Sequence, residues 1–155
     1  MTLKEEIKQN KPFKSTAQEA ALNILRTADK FDQKVAQHLK SFELTPTQFN
    51  VLRILNGAGP DGWTCSDIAS RMVKKDSDVT RLLDRLEKSK YILRERNPKD
   101  RRIINSKITS LGINLLKEIS PHIAKWDHSL EAKMGAKKLR QLTTLLEEFR
   151  GLLEN

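Results

Sequence analysis

Apolar residues recur with helical spacing in the centre of the chain. Val79, Leu82, Leu83 and Leu86 stand at positions i, i+3, i+4 and i+7, a spacing that predicts a helix with one buried stripe. The opposite side of this helix is then polar and faces water or a ligand. Its residues are Ser77, Asp78, Thr80, Arg81, Asp84 and Arg85. Acidic and hydroxyl side chains suit the first turn of a helix, so the helix is expected to begin near Asp76.

A shorter helix is predicted just before it. Thr64 and Asp67 have the spacing of a capping box, in which a hydroxyl and a carboxylate satisfy the first N–H groups of a helix. Ile68 and Met72 supply the buried side of that helix. Residues 73–75 then form a three-residue connection of the length that a helix-turn-helix uses. The pattern predicts a helix-turn-helix whose second member is the recognition helix.

The segment after these helices alternates between polar and apolar residues. Ile104, Ser106 and Ile108 share one face at period two, and residues 91–96 form an earlier extended run, so a β-hairpin is predicted. Pro98 suits the second position of its turn. Basic residues gather at and around the tip: Arg94, Arg96, Lys99, Arg101 and Arg102. A basic hairpin after a helix-turn-helix is the outline of a winged helix-turn-helix.

Long helices are predicted on both sides of this module, which spans residues 45–109. Residues 15–40 form one helix, and residues 110–155 supply two more that Gly135 separates. Pro121 predicts a kink or break in the first of these two. The apolar stripes exceed what a winged helix covers, which predicts a homodimer interface. The alternative is a monomer whose terminal helices cover each other.

The fold class is therefore mainly α with a small β-hairpin wing, a winged helix-turn-helix flanked by N- and C-terminal dimerisation helices in a single domain. Thr45, Pro46 and Gln48 supply an N-cap, a first-turn proline and a capping partner for a helix at the start of the module. Residues 1–14 are polar and lysine-rich. They predict either a frayed arm or an extension that docks on a partner subunit.

Positive charge is concentrated in one part of the chain. The net charge is +9, and residues 71–107 contain thirteen Lys or Arg against six Asp or Glu, a net +7. Such a concentration favours binding to nucleic acid through release of counterions, although a solvated charged face is the alternative. One cysteine excludes an intramolecular disulfide, and no apolar run or secretory leader is found. A cytoplasmic protein without membrane segments is expected.

In these segments the sequence resembles the MarR-type winged-helix regulators. The resemblance is carried by LTPTQFNVLRIL (44–55), SDIASRM (66–72), DVTRLLDRLEKSKYI (78–92) and NPKDRRIINSKITSLG (97–112). It implies a homodimer whose recognition helices enter successive major grooves of double-stranded DNA and whose wings reach the flanking minor grooves. It further implies a transcriptional regulator, typically a repressor, that a small amphipathic or phenolic effector releases from DNA.

Candidate DNA contacts follow from both the resemblance and side-chain chemistry. The resemblance places Arg102 in the minor groove, where the negative potential favours a guanidinium, with Arg101 near phosphate and Asp100 holding the wing arginines. For these arginines, a solvated turn tip is the alternative. The recognition helix offers Ser77, Asp78, Thr80, Arg81 and Arg85. Arg81 suits guanine or phosphate, whereas Asp78 suits either a cytosine amine or a simple helix cap.

Two positions depart from the pattern of the family. Lys90 stands just after the recognition helix where glycine is usual, so a non-glycine residue must take or avoid a left-handed conformation there. Asp76 and Asp78 make the start of the recognition helix acidic, where neutral or basic residues are usual. The operator sequence is therefore not predictable from the resemblance.

Other chemistry has less support in the sequence. The histidines and the single Cys65 lack metal-site spacing, so no metal or cofactor is expected. Cys65 is either a redox switch or, in the favoured interpretation, a small partly buried filler. An effector pocket is predicted near the junction of the long helices with the module. Its candidate residues are Phe31, His38, Phe42, Phe49, Trp63 and Trp126.

The sequence disfavours function classes other than binding to double-stranded DNA. An enzyme is not expected, because glycine-rich phosphate loops and activated nucleophiles are missing. Single-stranded nucleic acid is disfavoured, since Tyr91 alone could stack on bases in the basic window. The alternative kept open is a winged-helix module that binds proteins without DNA. The basic wing argues against that alternative.

Overall fold

The chain folds into long helices around a small winged module. The structure is a computed structural model that describes residues 1–97 and 100–154. Pro98 and Lys99, on which part of the predicted turn depends, lie outside the described residues. The helices are α1 (Leu3–Glu6), α2 (Thr16–Leu39), α3 (Pro46–Asn56), α4 (Cys65–Arg71), α5 (Val79–Lys88), α6 (Ser110–Met134) and α7 (Ala136–Gly151). The strands are β1 (Trp63–Thr64), β2 (Ile92–Arg96) and β3 (Ile104–Ile108).

Helix starts follow the predicted caps. Thr45 accepts a hydrogen bond from the N–H of Gln48 (3.2 Å), and the Gln48 side chain accepts one from the N–H of Thr45 (2.9 Å). Thr64 and Asp67 form the same reciprocal arrangement at the start of α4. Both pairs use local side-chain-to-backbone bonds, so the sequence alone could specify them.

The N-terminal residues correct one of the two alternatives given for them, the frayed arm. They form the short helix α1, whose Leu3 is buried and whose Glu6 forms ion pairs with Arg26 (3.2 Å) and Lys30 (2.7 Å) of α2. Helix α1 therefore packs on its own chain rather than remaining frayed, and docking of the segment on a partner subunit stays a prediction. Hydrogen bonds from Lys30 and then Arg26 lower the pKa of Glu6, which keeps this carboxylate charged.

The core lies in the winged module and extends into the flanking helices α2 and α6. Fully buried side chains come from α2, α3, α4, α5, β2 and α6, and they form one continuous cluster. Its most buried members are Leu39, Val51, Leu52, Leu55, Ile68, Leu83, Leu86, Ile92 and Ile119. The predicted stripe of α5 is buried as expected, which turns the polar side of the helix outward.

The sheet has one strand more than the predicted hairpin. Its order is β1-β3-β2, and both pairings are antiparallel. Trp63 pairs with Ser106, and Ile92 pairs with Ile108. The strand β1 has only two residues, too few to show a period of two, so it could not be predicted from the sequence. At Gly62, just before β1, an added Cβ would lie 2.3 Å from the Ser106 carbonyl oxygen, so only glycine fits beside β3.

The connection between α4 and α5 corrects two predictions. The recognition helix α5 begins at Val79 rather than near Asp76, and residues 72–78 make the connection longer than three residues. Asp76 accepts a hydrogen bond from the N–H of Asp78 (2.9 Å), which makes a turn before the helix. Asp78 then caps the helix by accepting from the N–H of Arg81 (3.2 Å).

Helix α6 corrects the break predicted at Pro121. The helix continues from Ser110 to Met134 with the proline inside it. Ile119 is fully buried and Ile123 packs against the core, so packing holds the helix together on both sides of the proline. Within the described residues, no helix combines the length and the apolarity that crossing a bilayer would need.

Candidate nucleic-acid interface

Polar side chains cover the solvent side of the recognition helix α5. Thr80, Arg81, Asp84 and Arg85 are exposed, while the apolar stripe of the helix is buried beneath them. Within the part of the chain that the structure describes, Arg85 forms no ion pair. This face therefore offers hydroxyl and guanidinium donors to a ligand.

Arg81 is held by the residue that caps the helix. Its Nε atom lies 3.2 Å from one oxygen of the Asp78 carboxylate, whose other oxygen accepts the N–H of Arg81. The Arg81 side chain is nonetheless 72% exposed. Asp78 is thus a helix cap and an ion-pair partner at the same time, which is the alternative that the sequence left open for it.

Ser77 and Cys65 flank the start of the recognition helix. Ser77 is exposed in the turn before α5 rather than on the helix itself. Cys65 is exposed, and its Sγ lies 3.9 Å from the Oγ1 of Thr80. The interpretation of Cys65 as a partly buried filler is therefore wrong, because the first turn of α4 points this thiol toward solvent.

The tip of the wing presents Arg102 in a fixed orientation. The Asp100 carboxylate accepts from the backbone N–H of Arg102 (3.0 Å) and from its guanidinium Nε and Nη2 (3.1 Å each). The Arg102 side chain remains 92% exposed, and Arg101 beside it is exposed as well. Hydrogen bonding to Arg102 lowers the pKa of Asp100, so the carboxylate stays charged and keeps its ion pair with Arg102.

Arg94 is not a tip residue, although the sequence grouped it with the tip. Its guanidinium lies against α5, where it contacts Asp84 and Glu87. From the sequence, the spacing of Asp84 and Glu87 indicates only that they lie close together on the helix. It does not indicate that β2 packs beside them. Tertiary packing of β2 beside α5 creates this contact.

A backbone junction joins the end of α5 to the start of α6. Lys90 adopts the left-handed conformation with φ 61°, the conformation for which glycine is usual. The Thr109 hydroxyl donates to the carbonyls of Lys90 (2.7 Å) and Tyr91 (3.1 Å). Gly112 permits this close approach, since an added Cβ would lie 2.4 Å from the Tyr91 carbonyl oxygen. These contacts hold the start of α6 against the segment that connects α5 to β2.

A cavity of about 540 Å³ lies between α2, α3, α6 and the connection before α5. Three of the predicted aromatic residues line it, namely Phe31, Phe49 and Trp126. Two of its walls are also joined by an ion pair between Lys74 of the connection and Asp32 of α2. Arg53 and Asp127 add further charge to a lining that is otherwise mainly apolar.

The other three aromatic candidates lie outside this cavity. The His38 ring packs on Trp126 with ring centroids 5.3 Å apart, but it does not line the space. Phe42 packs edge-on against His122. Trp63 lies on β1 under the guanidinium of Arg71, 3.9 Å from the ring centroid. Trp63 belongs to the sheet and does not line this cavity.

Comparisons with known proteins agree on one family. A model of the MarR family matches residues 44–104. The HTH-type transcriptional regulator YkoM of Bacillus subtilis is 31% identical over 113 residues, which cover 70% of this chain and 72% of YkoM. The homoprotocatechuate degradative operon repressor of Escherichia coli is 30% identical over 133 residues, covering 86% of this chain and 82% of that repressor. The crystal structure of the S. aureus MepR–DNA complex has a TM-score of 0.76 and 25% identity, covering 84% of this chain and 96% of MepR.

The matched region contains the parts that this structure places at the exposed basic surface. Residues 44–104 include the recognition helix and the Asp100–Arg102 pair. One similar structure holds DNA, and the similar sequences are named as regulators of transcription rather than as enzymes. The chain belongs to the MarR family of DNA-binding transcriptional regulators.

Proposed function

We propose that this regulator is a homodimeric repressor that binds a pseudo-palindromic operator in double-stranded DNA in the cytoplasm. The observation that carries the proposal is the exposed basic surface formed by the solvent side of α5 and the tip of the wing. In each subunit the recognition helix enters a major groove, and Ser77, Thr80, Arg81 and Arg85 contact bases or phosphates. Arg102 enters the adjacent minor groove, oriented by Asp100, and Arg101 contacts phosphate.

The apolar surface of the terminal helices supports a dimer. Helix α7 has no buried residue in the single chain. Large apolar side chains are exposed on α2, α6 and α7 and just beyond α7: Leu25, Phe31, Leu130, Met134, Leu142, Leu145, Leu152 and Leu153. A surface of this kind is covered when a second copy packs against it. The dimer then presents two recognition helices to half-sites about one helical turn apart.

The experiment that tests this proposal is selection of bound sequences from a random duplex library, with the unaltered protein and Arg102→Ala in parallel. We expect a pseudo-palindrome to be enriched, with half-sites about 10 base pairs apart from centre to centre. We also expect Arg102→Ala to bind the selected operator about tenfold more weakly. Enrichment of no sequence, together with no effect of the substitution, would reject the proposal.

Repression is supported by relatives that are named as repressors, among them the repressor of the homoprotocatechuate degradative operon. The test is transcription from a promoter that carries the selected operator. Added protein should lower the transcript level, and Arg102→Ala should restore it. Activation of the same promoter would contradict this part of the proposal.

We further propose that a small amphipathic or phenolic effector occupies the cavity and releases the protein from DNA. The cavity has a mainly apolar lining, and its volume suits a small ligand. Arg53 and Lys74 in the lining are placed to bind a polar or anionic group of that ligand. Titration with substituted phenols should quench the fluorescence of Trp126 and release a labelled operator over the same concentration range. Trp126→Phe should remove the fluorescence change, whereas Trp63→Phe, outside the cavity, should retain it.

A further inference from the structure

Arg94 joins the wing to the recognition helix through several hydrogen bonds. From β2, its Nη2 donates to Asp84 Oδ1 (2.5 Å) and to Glu87 Oε2 (2.6 Å), and its Nε also donates to Glu87 Oε2 (2.8 Å). The backbone N–H of Arg94 donates to the other oxygen of Glu87 (3.2 Å). The Arg94 side chain is only 26% exposed, so water screens these contacts less than it would screen a surface pair.

Other ion pairs of the wing stay within the wing. Lys107 and Glu95 pair across β3 and β2 at 3.0 Å, and Arg102 pairs with Asp100 at the tip. Among the described residues, Arg94 makes the only ion pairs between the wing and α5. Hydrogen bonding to Glu87 raises the pKa of Arg94, so its guanidinium remains charged under all ordinary conditions.

We infer that Arg94 is a positioning residue that fixes the orientation of the wing relative to the recognition helix. The two elements can then contact adjacent DNA grooves at the same time. The inference rests on the proposed use of α5 and Arg102 for DNA binding. When two contacts are already held in the bound geometry, the second forms without further ordering of the protein. Without Arg94, the wing is free to tilt against α5, and Arg102 then contributes less to affinity.

A second consequence of the contact is electrostatic. Asp84 and Glu87 stand on the edge of the helix that carries Arg81 and Arg85, where an unpaired carboxylate would repel DNA phosphates. Arg94 pairs with both carboxylates and offsets one of their two negative charges. Its removal therefore changes both geometry and charge, and the experiment must separate the two.

The test is a set of affinity measurements on the selected operator with Arg94→Met, with Arg102→Ala and with both substitutions together. Arg102→Ala should weaken binding about tenfold in the unaltered protein but less than about threefold in the Arg94→Met background. The variant that combines Arg94→Met with Glu87→Gln keeps the net charge of the unaltered protein and still lacks the link. It should show the same reduced effect of Arg102→Ala.

Glu95→Gln is the matched control. It removes an ion pair inside the wing without touching α5, so the full effect of Arg102→Ala should persist in it. Arg94→Lys, which retains one charged donor, should recover part of that effect. Circular dichroism and size-exclusion chromatography establish that each variant is folded and has an unchanged oligomeric state.

The outcomes separate this inference from the proposed function. A tenfold effect of Arg102→Ala that persists undiminished in the Arg94→Met background overturns the positioning role and leaves the proposed function intact. No effect of Arg102→Ala in the unaltered protein overturns the proposed function itself. If Glu95→Gln diminishes the Arg102 effect as much as Arg94→Met does, the role of Arg94 is not specific and the inference fails.

Discussion

At the scale of single residues, Asp78 brings a negative charge to the surface that we propose to contact DNA. Its carboxylate serves both the backbone and the side chain of Arg81. The cap requires only an oxygen acceptor, whereas the ion pair requires the charge. The two roles can therefore be separated by one substitution.

Asp78→Asn should retain the cap and free the Arg81 guanidinium. We expect affinity for random duplex to rise several-fold and to depend more steeply on salt, by about one unit of log–log slope for each additional phosphate neutralised. Fluorescence anisotropy across a salt series measures both. Asp76→Asn removes an equal charge without contacting Arg81 and should have the smaller effect; equal effects would show that charge alone matters.

Lys90 is a non-glycine residue in a backbone conformation that favours glycine. The left-handed conformation costs a non-glycine residue about 1 kcal/mol or more. Lys90→Gly should therefore raise the free energy of unfolding by about 1 kcal/mol. Urea denaturation at a fixed protein concentration measures the change. Ser89→Gly, at a neighbouring position with φ −78°, should give no such gain; equal gains would contradict the explanation.

At the scale of elements, local and distant interactions divide what the sequence could predict. The caps at Thr45 and Thr64 were predictable because each joins residues three apart. The Asp100–Arg102 contact is also local, since it joins residues two apart, and it was predicted from the family resemblance. Strand β1 and the Arg94 contacts with α5 were not predictable, because each depends on a partner element brought there by the fold.

The junction between the wing and α6 depends on the absence of a side chain at Gly112. Gly112→Ala places a Cβ 2.4 Å from the Tyr91 carbonyl oxygen and 2.8 Å from Ile108 Cγ1. We expect a loss of about 1–3 kcal/mol of stability, measured by thermal and urea unfolding. Gly151→Ala is the control, since its Cβ meets no atom within 4 Å. A comparable loss in the control would refute the steric explanation.

At the scale of the whole molecule, the charge and the apolar surface occupy different regions. Residues 71–107 account for most of the net positive charge, +7 of the +9 of the chain, while the exposed leucines lie mainly at the C-terminal end. The proposed DNA-binding surface and the proposed dimer interface therefore lie in separate parts of one chain. A substitution in residues 71–107 should mainly affect DNA binding, and a substitution on the C-terminal apolar surface should mainly affect dimerisation.

Leu145→Glu tests the proposed dimer. Leu145 is 62% exposed on α7, so the substitution removes little from the core of the single chain. We expect a monomer in size-exclusion chromatography with light scattering, and an operator affinity reduced by at least tenfold because the two half-sites are no longer joined. Gln141→Glu adds the same charge on α7 at an already polar position and should remain dimeric. A dimeric Leu145→Glu would show that α7 is not the interface.

The wall that Val73 and Lys74 contribute to the cavity has a thermodynamic consequence. These residues belong to the connection that leads into the recognition helix, so a molecule in the cavity and a duplex on the helix act on one shared segment. Linkage then requires reciprocity: a ligand that weakens operator binding by some factor is itself bound more weakly, by the same factor, when the operator is present. The operator duplex thus reports on occupancy of the cavity, and ligands can be ranked by how strongly DNA expels them.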